Sequence, residues 1–149
     1  MSFFAFFMFV AGLTFGQVDT TTLPPYVIFD DVAQTMARFP GCEEIIDEGR
    51  RKQCADQKMM DFIYSELVYP AEALEIKLEG TVVIGFEVDE AGNLSDFTIR
   101  KKIGGGCDEE ALRLVQKMAA LPEKWIAATF QSKIVKMRFN VPIRFRLKK

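Results

Sequence analysis

The chain has 149 residues, enough for one domain with a real core and too few for two comfortable ones. Hydrophobic residues make up 49% and charged residues 27%, a globular balance, and the net charge of −2 gives no overall attraction to nucleic acid. The sequence contains no histidine, which excludes Ser–His–acid triads, Cys–His dyads and His-ligated metal centres, and with them most enzyme chemistries.

Residues 1–16 carry no charged side chain, and Phe3 to Phe15 is almost wholly apolar. That run is short of the roughly 20 residues a membrane-spanning helix needs. It fits the hydrophobic region of a secretory signal cut after Gly16, so export is expected. A basic leader is missing, which keeps a short, uncleaved membrane anchor as the competing reading. Residues 17–55 read as a lead-in segment. Within it Val18 to Pro25 is extended, Tyr26 to Phe29 is a short strand, and Phe39-Pro40-Gly41-Cys42 is a turn. Cys42 and Cys54 are close in a chain that looks exported, so a structural disulfide is expected, stabilising the fold by about 3 kcal/mol. A thiol redox pair is the alternative, without a C-x-x-C to favour it. Cys107 reads as a small buried residue.

From Asp56, which can cap it, a helix is predicted with Met59, Phe62, Ile63 and Leu67 as its apolar stripe, ending at Tyr69-Pro70. Thr81 to Asp89 alternates, with Val82, Ile84, Phe86 and Val88 on one face. Glu90-Ala91-Gly92-Asn93 is turn chemistry, and Leu94 to Lys102 returns as the second strand of a hairpin. Gly104-Gly105-Gly106 then feeds a second helix, Asp108 to Leu121, with Ala111, Leu114, Val115 and Met118 inward. A glycine loop at a helix start can hold a phosphate. Here Asp108, Glu109 and Glu110 would repel one, so a tight strand-to-helix turn is expected. Trp125 is expected to fold over the edge of the core.

The last strand, Val135 to Leu147, alternates without a break. Val135, Met137, Phe139, Val141, Ile143, Phe145 and Leu147 lie on one side. Lys136, Arg138, Asn140, Pro142, Arg144, Arg146 and Lys148 lie on the other, basic and without an acid. Pro142 cannot give an N–H to a ladder, which confines this strand to an edge. Such an edge can accept another extended peptide. The second helix carries the chain back before the last strand, which then pairs antiparallel with the first strand of the hairpin. The fold class is therefore α+β: a small three-stranded antiparallel sheet, order second-first-last, with two helices packed on one face.

Val68-Tyr69-Pro70, Glu79-Gly80-Thr81-Val82, the Asp89 to Asn93 turn, Gly105 to Ala111, Trp125 and Val141-Pro142-Ile143-Arg144-Phe145 together resemble the C-terminal domain of TonB energy transducers. The resemblance covers residues 56–149, and even Phe39-Pro40-Gly41 is similar to the lead-in of some branches. It departs at Ala127-Ala128, where the family often has Pro-Gly after the tryptophan, and in the near absence of a Pro-rich spacer. The resemblance implies a periplasmic domain that grips the TonB box of a TonB-dependent outer-membrane receptor by strand addition, passing on energy from inner-membrane proton-motor subunits. It implies no enzyme activity and no cofactor or metal. Partner contacts are expected from Tyr69 with Pro70 behind it, and from Lys136, Arg138, Asn140, Pro142, Arg144 and Arg146. The same edge permits a homodimer. The alternatives are a secreted structural or adaptor protein that kept the fold without energy coupling, and a thiol oxidoreductase.

Overall fold

A computed structural model describes residues 35–148. The expected signal sequence or anchor, the extended segment from Val18 to Pro25 and the short strand from Tyr26 to Phe29 lie outside the described residues. Helix α1 runs Glu48–Glu66 and is capped by Asp47, whose Oδ1 accepts the Arg50 N–H at 2.8 Å. The sequence places this start two turns later, at Asp56. Asp47 competes better, because Glu48 beside it also suits the helix dipole. Asp56 is left inside the helix, ion-paired with Lys52 one turn back. The expected division at residue 55 consequently falls within α1. Ala55, Met59 and Ile63, four residues apart, bury one face of the helix.

Leu67 leaves the helical region, and the Val68 N–H is held by Glu110 Oε1 at 2.7 Å. Pro70 then opens a single-turn helix, α2 (Ala71–Glu75). Strands β1 (Gly80–Val88) and β2 (Leu94–Lys101) form the hairpin. Its turn is closed by Asp89, whose Oδ1 accepts the N–H groups of Ala91 and Asn93 at 2.9 and 2.8 Å. Gly92 has φ +80°, and a Cβ there would stand 2.0 Å from the Trp125 carbonyl oxygen. Only glycine fits both conditions. Helix α3 (Cys107–Ala119) follows the three glycines, all at positive φ. Asp108 folds back to accept the Ile103 and Gly104 N–H groups at 2.8 and 3.0 Å. The Asp108 carboxylate thus takes up two donors at the loop entry, which suits a structural turn.

The last stretch is broken where the sequence reading runs it straight. Strands β3 (Ala128–Phe130) and β4 (Lys133–Val135) form a small hairpin of their own, and β5 (Met137–Phe145) begins after Lys136. Val135 pairs with Ala128, whereas Met137 pairs with Val88. The chain changes partner at Lys136, so alternation survives while the ladder does not. Gln131 and Ser132 make the two-residue turn with φ of 46° and 62°. Both lie in the left-handed region that hairpin turns require, and neither residue type advertises it.

The main sheet has the order β2-β1-β5, wholly antiparallel, as expected. The side chains of Val82, Ile84, Phe86 and Val88 from β1 meet Leu114, Val115 and Met118 of α3 and Ile63 of α1 in one core. Trp125 covers its edge, with its ring edge-on to Phe86 and Phe139 at 5.3 and 5.1 Å. The lead-in joins this core rather than trailing from it. Its residues pair with the β3 region, through Arg38 N–H to Ile126 O and Ile126 N–H to Arg38 O, each 3.0 Å. Ala37 is buried, and Phe39 lies edge-on to Trp125 at 6.0 Å. A disulfide joins Cys42 to Cys54 across 12 positions, tying the lead-in turn to α1.

Phe86 and Leu114 are fully buried. Phe86→Asp or Leu114→Asp is expected to cost about 4 kcal/mol or more, since each strands a carboxylate among apolar side chains. A cooperative melt at the wild-type temperature would refute that. Reduction of Cys42–Cys54 is expected to lower stability by about 3 kcal/mol. Amide exchange should speed up first in residues 35–55, and exchange rising evenly across the domain would contradict the local role.

Candidate functional site

The outer side of β5 carries the features singled out in the sequence. Its odd-numbered residues Val141, Ile143 and Phe145 are buried, and Asn140, Pro142 and Arg144 are exposed. In an antiparallel strand the backbone groups alternate in step with the side chains. Arg144 fixes the phase, because its N–H points away from β1, to the Tyr64 hydroxyl oxygen at 3.1 Å. The backbone groups of Arg138, Asn140 and Pro142 therefore face outward too. Pro142 has no donor, and it stands on the side where no ladder bond is lost.

The charges on this edge are not equivalent. Lys136 bonds Glu87 at 3.0 Å, and the Glu87 carboxylate raises its pKa. Arg138 is ion-paired with Asp96 of β2. The sequence reading treats all four cations alike, but two of them are already matched by acids of β1 and β2. Arg144 and Arg146 form no ion pair among the described residues. They line a shallow cleft with Glu79, Gly80, Thr81 and Phe145 at the end of the strand. Asn140 lies over Gly85, where an added Cβ would come within 2.9 Å of its Oδ1.

Tyr69 and Pro70 sit at a corner and look inward. The Tyr69 hydroxyl donates to the Leu78 carbonyl, and its ring stands edge-on to Phe145 at 5.7 Å. Burial, then the charges of Cys107 and Glu79, push its phenol above the ordinary pKa. Pro70 packs beneath the glycine loop, where a Cβ on Gly106 would approach its own Cβ to 3.1 Å. These two residues position the β1–β5 end of the sheet. The structure adds Tyr64 to the edge, a residue with no sequence signal: it falls between Ile63 of the buried stripe and the exposed face of α1.

Thiol chemistry finds little support. Cys42 and Cys54 are bonded to each other, and Cys107 is buried. Burial, followed by the carboxylates of Asp108, Glu109 and Glu110, pushes the Cys107 thiol up and away from the reactive thiolate. Among the described residues no cluster of Cys, Asp and Glu has the arrangement of a metal site. No helix among them is long and apolar enough to cross a membrane.

Residues 65–147, more than half of the chain, match the family model described as "Gram-negative bacterial TonB protein C-terminal". No curated protein matches at a significant level. Two solution structures of the Helicobacter pylori TonB C-terminal domain are similar. One, spanning its residues 179–285, is 23% identical with a TM-score of 0.49, covering 62% of this chain and 80% of that one. The other, spanning 194–285, is 23% identical with a TM-score of 0.48, covering 62% and 94%.

The inward pose of Tyr69 sets a stability expectation. Tyr69→Phe keeps the ring on Phe145 and loses the bond to Leu78, so it should cost about 1 kcal/mol in a denaturant titration. Tyr69→Ala should cost about 3–5 kcal/mol through the cavity it leaves. Equal stability of wild type and both variants would show that the corner does not depend on this ring.

Proposed function

The chain belongs to the TonB C-terminal family, and on that premise we propose that it is a periplasmic peptide-gripping module of energy-coupled transport. Its β5 edge takes the TonB box of an outer-membrane receptor by strand addition. The observation that carries this reading is the outward row of backbone groups from Arg138 to Arg144 on an edge strand, with Pro142 placed where only an edge allows it. Backbone hydrogen bonds supply affinity in such a complex, and side chains supply the choice of partner.

Arg144 and Arg146, which form no ion pair among the described residues, are the residues that steer an acidic segment of the peptide. Lys136 and Arg138 act mainly within the sheet, Asn140 and Pro142 mark the docking row, and Tyr69 and Pro70 hold its end in place. The Cys42–Cys54 bond fits an oxidising compartment and supports export.

Labelled TonB-box peptides titrated at two salt concentrations test the proposal. Wild type should bind, and more weakly at the higher salt, because exposed charges are screened. Arg144→Glu with Arg146→Glu should slow association about tenfold or more at low salt while shifting stability by less than about 0.5 kcal/mol. Absence of wild-type binding at both salts would reject receptor coupling and leave an envelope adaptor that shares the fold.

A further inference from the structure

We infer that Tyr64 is a gate on the docking edge, regulating how far an added strand can pair along β5; this rests on the strand-addition reading above. Among the described residues, the outward row offers complete donor and acceptor sets at Arg138 and Asn140. At Pro142 it offers a carbonyl alone. At Arg144 the N–H is already bonded to the Tyr64 hydroxyl at 3.1 Å. An incoming strand thus finds two full pairing positions, a half position, and then a covered one. Pairing beyond Pro142 requires the phenol to swing away.

The gate is built to move. Tyr64 is 47% exposed, while Ile63 beside it is fully buried and holds the α1 backbone in place. The side chain can therefore rotate into water without disturbing the helix. The covered position is also the one at Arg144 and Arg146, cations that form no ion pair among the described residues. A peptide that displaces Tyr64 gains those two charges as well as a backbone bond. One that stops at Pro142 gains neither. The gate accordingly selects extended peptides with an acidic group at the Arg144 end over uncharged or basic strands, and the edge of a second copy of this strand is basic. An uncovered row would be a standing invitation to edge-to-edge association.

Tyr64→Phe keeps the ring and removes the cover. The free variant should exchange its Arg144 amide faster than wild type, with the Arg138 and Asn140 amides unchanged. Its affinity for the labelled TonB-box peptides should rise by about threefold to tenfold, the worth of one hydrogen bond no longer broken. If wild type binds and the variant binds equally or more weakly, the gate is overturned. If neither protein binds any peptide, receptor coupling fails, and the gate is judged on self-pairing by sedimentation. A larger dimer fraction in Tyr64→Phe then supports it, and an unchanged one overturns it. An Arg144 amide that exchanges equally fast in both proteins overturns it in every case.

Discussion

Phe86 is the residue on which the separate parts of this domain converge. It sits in the central strand, fully buried, and three other rings close around it. Phe97 of β2 lies 6.3 Å away, Phe139 of β5 stacks at 5.7 Å, and Trp125 meets it edge-on at 5.3 Å. Phe39 extends the cluster by touching Trp125 from the lead-in. Aromatic pairs gain beyond their buried area when their geometry is right, and here the gains are shared by all three strands and the loop before the small hairpin. The sheet is only three strands wide, below which independent stability is rare, so this shared cluster compensates for a narrow platform.

That cluster explains why β5 can be an open edge without being a loose one. Its inner side is fixed at every second residue, by the ladder to β1 and by Val141, Ile143 and Phe145 in the core. Along its outer side and just beyond its ends lie two ion-paired cations, Lys136 and Arg138, and two that form no ion pair among the described residues, Arg144 and Arg146. An edge fixed on one side in this way would spare an added strand the cost of ordering it. The lead-in matters for the same reason. Although the family match starts at residue 65, Ala37 and Phe39 complete the packing around Trp125, and the disulfide keeps them there.

The elements legible in the sequence were those whose burial is periodic. Val82, Ile84, Phe86 and Val88 announced β1, and Ala111, Leu114, Val115 and Met118 announced α3, because each set faces a single core. Pro142 announced the edge and, with the chain order, the strand order. The break at Lys136 was not legible, since a strand that changes partner keeps its alternation. The β3–β4 hairpin was hidden because Gln131-Ser132 adopts a glycine-like turn without glycine. Asp47 gives no sequence signal as a cap because the helix it starts opens with a polar stretch, from Glu48 to Gln53, and its apolar stripe begins only at Ala55. At the site, Lys136 and Arg138 looked free because their acids, Glu87 and Asp96, lie on other strands. Tyr64 was invisible for the same reason: its partner is a backbone amide 80 residues away.

The register of β5 on β1 has a mechanical meaning. Nine residue pairs from Gly80–Phe145 to Val88–Met137 stand opposite one another in unbroken antiparallel register. The hydrogen bonds of such a ladder lie across the strand direction. Tension drawn along β5 therefore loads all of them together in shear, and none can fail before its neighbours share the strain. Tension drawn sideways would open them singly, like a zip. A strand laid beside β5 and tugged along its own length would transmit its load in the strong direction, into the sheet and the ring cluster behind it.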